Sequence, residues 1–216
     1  MLDYSAPFGF LFQDKAWPRK FAIATLLTYT FVGAAPVLGW MIGIVRRVAK
    51  GEEPLLPEFT DWKTSWRLGG QFAFVNALWL LPFVAGTILA YLPVIFVSRL
   101  QGETLLVVWG GTLLCVLIFL FLYSLVYAVF FPAMQVLLAR TGSSWGSANP
   151  FLLWKTFRKH PGPYLLVFLV VDLALFNVVL LAAALTAFLL LPPLLVYAGL
   201  VTAHFAGQLM QMEEQA

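Results

Sequence analysis

The segment that decides the fold is residues 36–66, PVLGWMIGIVRRVAKGEEPLLPEFTDWKTSW. An apolar run ends within it at the basic pair Arg46-Arg47, and a loop rich in proline and acidic residues follows. The chain then returns to apolar sequence through a short aromatic stretch, residues 58–67. This order is typical of a chain that leaves a membrane and enters it again.

The composition around this segment excludes a soluble domain. Of the 216 residues, 62% are hydrophobic and 11% are charged, whereas soluble domains average about 45–50% apolar and about 25% charged residues. Such an excess of apolar residues requires lipid as the solvent. We therefore predict an all-α, polytopic transmembrane helix bundle that forms a single integral membrane domain over residues 1–216.

Four long apolar runs predict transmembrane helices, at residues 68–98, 104–131, 163–190 and 194–211. Pro82 and Pro93 predict a kink or a break in the first of these. An earlier run, residues 21–45, is interrupted by three glycines and Pro36. It allows either one kinked crossing or a broken, re-entrant helical hairpin.

The basic residues favour the hairpin. A single crossing would divide the 13 Lys and Arg residues four to nine, whereas a return places twelve on one side and leaves only Arg99 on the other. Basic residues concentrate on the cytoplasmic side of membrane proteins. We therefore predict that both termini are cytoplasmic and that these bases report topology rather than nucleic-acid binding.

Both long basic loops, residues 46–67 and 140–162, carry aromatic residues at helical spacing and predict interfacial amphipathic helices. In the first, Gly69-Gly70 is expected to act as a hinge to the next crossing. At the N-terminus, alternating phenylalanines predict an interfacial arm over residues 1–20 that begins as extended chain. The residues predicted to lie at the interface are Trp62, Trp66, Trp154, Arg46, Arg47, Lys155, Arg158 and Lys159.

Two stripes of small residues at a spacing of four predict close helix packing. They are Ala35, Gly39 and Gly43 in the broken segment, and Gly199, Ala203 and Gly207 in the last helix.

Polar residues within the apolar runs are the candidate functional groups. Asn76, Asp172 and His204 fall at similar predicted depths, so we expect an intramembrane polar cluster in the inner leaflet. A structural pair that fixes helix register is the first interpretation of Asp172 and His204, and a proton or ion path is the second.

The chain resembles a known family of membrane proteins. The stretches FGFLFQDKAWPRK, PVLGW, GIVRRVAKGEEPLLPEFTDW and PPLLVYAGLVTAHFAGQ are similar to the domain-of-unknown-function family four-zero-one-three. The resemblance implies a shared polytopic fold and a place in a bacterial or archaeal cytoplasmic membrane. It brings no activity and no catalytic residues.

No catalytic or metal motif is present in the sequence, so we predict neither an enzyme nor a metal site. No cofactor is predicted, although bound lipid, pigment or quinone stays open. The first hypothesis is a structural or accessory subunit that packs against a larger respiratory, photosynthetic or transport complex. The alternative is a small transporter or lipid-handling protein, and the expected partners are membrane lipids and other integral membrane subunits.

Overall fold

Helix is the only regular secondary structure in residues 2–30, 32–96 and 103–215, which the computed structural model describes. The all-α prediction is confirmed, as expected where lipid cannot satisfy backbone hydrogen bonds. The first half contains α1 (Ala6–Gly9), a 3-10 turn (Phe10–Gln13), α2 (Trp17–Tyr29), α3 (Ala34–Lys50) and α4 (Trp62–Phe96). The second half contains α5 (Glu103–Thr141), α6 (Ser144–Ala148), α7 (Pro150–Lys159), α8 (Pro161–Val167), a π-helical segment (Phe168–Leu175), α9 (Phe176–Leu185) and α10 (Leu191–Gln215).

Four stretches of helix in the described residues are long and apolar enough to cross a membrane. They are Trp62–Leu92, Val107–Thr141, Pro161–Leu185 and Leu191–Gln215. They correspond to the four predicted crossings, and the chain is a multi-pass membrane protein. Arg99, the one base predicted on the far side, lies outside the described residues.

The broken segment forms a hairpin of two helices. At the start of α2, Lys20 Nζ donates to Leu56 O at 2.8 Å, in the loop that follows α3. At the opposite end of α2, Tyr29 Oη donates to Leu189 O at 2.6 Å. The beginning of α2 therefore lies near the loop that follows α3, so the two helices form an antiparallel hairpin.

The two arms of this hairpin differ in length. Helix α2 has 13 residues and α3 has 17, which correspond to about 20 and 26 Å. The connection between them falls after Tyr29 and before Ala34, next to the glycine and proline that interrupt the apolar run in the sequence. This breaking of the N-terminal segment confirms the prediction.

Helix α10 is the centre of the larger of two compact units, Met1–Val75 with Val129–Ala216. It packs mainly along α3. A Cβ on Gly199 would lie 2.5 Å from Met41 Cε, and a Cβ on Gly207 would lie 2.5 Å from Val48 Cβ. The contact partner on α3 moves from Met41 to Val48 as the position on α10 moves from Gly199 to Gly207. The two helices therefore run in the same direction.

The smaller unit, Asn76–Ala128, contains the C-terminal part of α4 and the N-terminal part of α5. Tyr123 joins them: its hydroxyl donates to Trp79 O at 2.8 Å, and its ring packs against Phe83 at 5.1 Å. Leucines and valines along both helices are exposed, as expected for side chains that face lipid.

The expected hinge at Gly69-Gly70 is wrong. Helix α4 begins at Trp62 and continues through Gly69-Gly70, so no hinge is present. Gly69 serves close packing instead, because a Cβ there would lie 1.7 Å from Ala35 O. The same helix continues without a break through Pro82 and reaches Phe96; transmembrane helices tolerate proline where neighbouring groups satisfy the freed carbonyl. A kink, the other expectation for the prolines of this run, stays a prediction.

The extended start of the N-terminal arm is also wrong. Residues 6–13 form α1 and the 3-10 turn, with Phe10 and Leu11 buried. Tyr197 Oη donates to Phe8 O at 3.1 Å, and the Phe8 ring meets Phe205 edge-on. Packing on α10 thus selects a helical arm where the alternation of phenylalanines indicated an extended one.

The amphipathic helix predicted in the second basic loop is present. Helix α7 begins at Pro150, where the Asn149 side chain caps it by accepting from Phe151 N at 2.9 Å. It ends at Lys159, and Pro161 begins α8 in the first turn, where proline is tolerated.

Replacing Gly69 by Ala should destabilise the fold, whereas Gly70→Ala should not. The Gly69 Cβ would enter the α3 backbone, and overpacking of this kind costs about 1–3 kcal/mol. A Cβ on Gly70 would point into open space, with no neighbouring atom of another element within 4 Å, so alanine there should be neutral or slightly stabilising. Thermal unfolding midpoints in detergent measure both, and equal midpoints would contradict the close contact.

Candidate functional site: a basic pocket at the end of the α2–α3 hairpin

The floor of the candidate site is the crossing of α3 and α4. A Cβ on Gly39 would lie 1.9 Å from Ser65 O, so the two helices touch through backbone at this point. From there α3 continues to Lys50, and the chain returns through residues 51–61 to the start of α4. The space between these three elements is a cavity of about 430 Å³, which we call the basic pocket.

The basic pocket has an apolar and a polar part. Trp40, Leu56, Pro57 and Leu68 form the apolar part. Gly43 widens it, because a Cβ there would lie 3.3 Å from Pro57 Cγ. The polar part is formed by Arg46, Arg47, Glu58, Thr60, Asp61, Thr64 and Ser65.

Two arginines of α3 line the pocket and are held by backbone carbonyls. Arg46 Nε donates to Ala139 O at 2.8 Å, and Arg47 Nη1 donates to Pro54 O at 2.6 Å. Neither guanidinium forms an ion pair with any carboxylate of the described residues. The arginines therefore keep charge and donors that an anion can use.

Arg46 is the more strongly perturbed of the two. Burial lowers the pKa of its guanidinium, and the positive charge of Arg67 lowers it further. Both effects oppose the charged form, and a bound anion would relieve both. This is the electrostatic signature of a site that favours negative charge.

The opposite wall carries carboxylates. Asp61 Oδ1 accepts from Thr64 N at 3.1 Å and caps the start of α4. Hydrogen bonds from the Thr64 side chain and backbone lower the pKa of Asp61, so it is ionised at neutral pH. Glu58 Oε1 lies 2.7 Å from Lys20 Nζ and is already paired.

Lys20 holds residues 51–61, which we call the pocket loop, against the hairpin. The sequence indicates Lys20 only as a base that reports topology and does not predict this role. Its side chain is only 3% exposed, and Nζ donates to Asp14 Oδ2 and Leu56 O, both at 2.8 Å. The bond from Lys20 lowers the pKa of Asp14. No sequence pattern signals this contact, because Lys20 and Leu56 are 36 positions apart.

Six of the eight predicted interfacial side chains are exposed, whereas Arg46 and Arg47 are partly buried at the pocket. Trp62 and Trp66 are 41% and 43% exposed, and Trp154 is exposed on α7. Lys155 and Arg158 are exposed on the same helix. Lys159 Nζ lies 3.8 Å from Glu213 Oε2. Their contact with a membrane interface stays a prediction.

The small-residue stripes pack within the chain. Gly39 contacts α4, while Gly199 and Gly207 contact α3. Ala203 is fully buried in α10. Ala35 offers its carbonyl oxygen to the close approach of Gly69, and Gly43 opens the basic pocket. Gly39 and Gly43 thus belong to the candidate site.

Of the residues of the predicted polar cluster, Asp172 and His204 belong to the larger unit and Asn76 belongs to the smaller one. His204 is buried, with Nδ1 3.2 Å from Gln208 Nε2 and its ring 4.7 Å from that of Phe10. Asn76 Oδ1 accepts from the Tyr127 hydroxyl within the smaller unit. Asp172 lies half-buried in the π-helical segment, and among the described residues it makes no hydrogen bond or ion pair with His204.

A buried polar cluster around Glu213 went unpredicted. Glu213 Oε2 pairs with Arg140 Nη2 at 2.9 Å, and its Oε1 accepts from the buried Tyr164 hydroxyl at 2.8 Å. The ends of α5 and α10 are joined there to the middle of α8. An acid two residues before the end of the last helix could have signalled it, but sequence does not name the partners.

The comparisons with known proteins identify a family and nothing more. A family model described as "Protein of unknown function (DUF4013)" matches residues 22–205. The resemblance found in the sequence is confirmed. No curated protein and no solved structure matches the chain.

Replacing Lys20 by Met should loosen the pocket loop. Removing one partner of a buried ion pair costs on the order of 3 kcal/mol, because the other charges lose their compensation. We expect a lower thermal midpoint and faster tryptic cleavage after Lys50. Lys15→Met, at an exposed position of the same arm, is the control, and identical cleavage of both variants would refute the role of Lys20.

Proposed function

The chain belongs to the DUF4013 family, whose description assigns no activity, and we propose from the basic pocket that it is a lipid-handling membrane protein. In this proposal the pocket binds a headgroup that carries a phosphate. One observation supports it above the others: two arginines without ion-pair partners among the described residues line a cavity of about 430 Å³.

Arginine suits this ligand by geometry. A guanidinium presents planar N–H groups that match the oxygens of a phosphate, and such charge-assisted bonds are roughly twice as strong as neutral ones. Arg46 and Arg47 each donate one side-chain hydrogen bond to a backbone carbonyl. Their remaining N–H groups are the proposed phosphate ligands.

The size and surroundings of the pocket agree with a headgroup. Ligand sites generally range from about 300 to 1,000 Å³, and the pocket falls in the lower part of that range. Exposed Trp62 and Trp66 begin the crossing next to it, and such aromatics favour the boundary between lipid and water. The apolar wall at Trp40 and Leu68 would face the less polar end of the ligand.

The proposed role is binding and presentation at the cytoplasmic face, with no covalent step. The basic residues of the loops on both sides of α4–α5 support that orientation through the positive-inside tendency. Both termini would then be cytoplasmic, in a bacterial or archaeal cytoplasmic membrane.

Replacing Arg46 by Gln should weaken retention of phospholipid about tenfold or more, since a hydrogen bond to a charged group contributes about 1.5–3 kcal/mol. The measurement is native mass spectrometry of purified protein titrated with defined phospholipids. Arg47→Gln should act in the same direction. Arg158→Gln, on the exposed face of α7, is the matched control.

Unchanged retention in both arginine variants, or an equal loss in Arg158→Gln, would refute headgroup binding at the pocket. Thermal midpoints of all three variants distinguish a binding defect from misfolding.

A second candidate is the structural or accessory subunit of a larger membrane complex. The small-residue stripes that suggested an accessory role pack against other helices of this chain. The smaller unit, however, has another surface on which a partner helix could pack. Gly110 and Gly111 of α5 face open space, since a Cβ built on either glycine would meet no atom of another element within 4 Å. Open glycines in a lipid-exposed helix permit a partner helix to approach closely.

Under this second proposal, extraction in mild detergent should yield a particle with other membrane subunits in fixed ratio. Gly111→Leu should dissociate that particle without changing the thermal midpoint of the isolated chain, whereas Leu122→Ala, on an exposed part of α5, should leave it intact. A chain that migrates alone or only with itself would exclude an accessory role.

A further inference from the structure

We infer that the ligand of the basic pocket carries a primary ammonium group as well as a phosphate. This inference rests on the proposed function and adds the chemical class of the headgroup. The class is a phosphate ester of an amino alcohol whose primary amine is free. It occurs as the headgroup of an ethanolamine phospholipid and as soluble phosphoethanolamine.

The first support is the division of charge across one cavity. Arg46 and Arg47 lie on α3, and Asp61 lies where the loop meets α4. A purely anionic ligand would satisfy the arginines but would repel Asp61. A dipolar ligand satisfies both walls, with phosphate toward α3 and ammonium toward α4.

The second support is that Asp61 remains available as a charged acceptor. The neighbouring bases Lys63 and Arg67 favour its ionised form, but neither lies within ion-pair distance of it in the described structure. Glu58, the other carboxylate of the pocket, is paired with Lys20. Asp61 is therefore the carboxylate that a ligand ammonium would meet.

The third support concerns the degree of methylation. A quaternary ammonium has no N–H donor and is recognised by open aromatic faces. Trp40, the aromatic residue of the pocket, is buried, stacks on Phe59 at 4.8 Å and donates its indole N–H to Pro57 O at 2.8 Å. Its ring does not form an open cage.

The remaining polar side chains of that wall can accept hydrogen bonds. Thr60, Thr64 and Ser65, which carry hydroxyl groups, line the cavity together with Asp61. Oxygen acceptors of this kind suit the three N–H donors of a primary ammonium. The pocket should therefore discriminate against a choline headgroup.

The test compares lipids that differ only in the headgroup. Wild-type protein is titrated with phosphatidylethanolamine, its N-trimethylated counterpart phosphatidylcholine, and phosphatidylglycerol, and each bound fraction is read by native mass spectrometry. We expect phosphatidylethanolamine to be retained about tenfold more than phosphatidylcholine. Asp61→Asn, which still caps α4, should abolish that preference and should not weaken phosphatidylglycerol.

The control is Glu52→Gln, an exposed acid of the same loop that pairs with Lys50 rather than with the pocket. It should leave the preference unchanged. Asp61→Ser supplies a second capping variant, so that a folding defect in one substitution does not decide the result.

The failures of the two proposals are distinguishable. If all three lipids bind equally and binding still requires Arg46, the ammonium inference is overturned and headgroup binding stands. If no lipid depends on Arg46, both are overturned. Competition by soluble phosphoethanolamine at the same concentration as the lipid would support the ammonium chemistry and identify the soluble compound as its source.

Discussion

The contact on which the larger unit depends is the backbone crossing of α3 and α4. Two helices can approach so closely only where both present glycine, here Gly39 and Gly69. The contact holds the helices together at one level. Beyond the crossing, α3 ends at Lys50 and a loop connects it to the start of α4. Residues of this loop and of both helices line the basic pocket. A side chain at the crossing would separate the helices and change the pocket at the same time.

Charge is concentrated at the end of the unit that carries the pocket. Lys20 compensates Asp14 and Glu58 on one side, and Glu213 accepts from Arg140 and Tyr164 on another. Each arrangement buries a charge, and each supplies partners for it. Arg46 and Arg47 differ from these groups because their partners are backbone carbonyls. That difference is the physical basis for assigning the binding role to them.

Local sequence patterns predicted the helices but did not predict the contacts between residues far apart in the chain. The break in residues 21–45 follows from glycine, proline and the distribution of bases, all of which are readable in the sequence. The expected hinge at Gly69-Gly70 failed because sequence shows that glycine is flexible or small but not which property the fold uses. The pocket could not be predicted, since it depends on contacts such as that between Lys20 and Leu56, far apart in the chain.

The docking of the N-terminal arm on α10 has a consequence for biogenesis. Asp3 N donates to Gln208 Oε1 at 2.9 Å, and Gln208 Nε2 donates back to Asp3 O at 3.0 Å, across 205 positions of sequence. Because α3 also packs mainly on α10, the hairpin of α2 and α3 is synthesised well before its principal neighbour. Until α10 has been made, this hairpin must be held by lipid or by the insertion machinery.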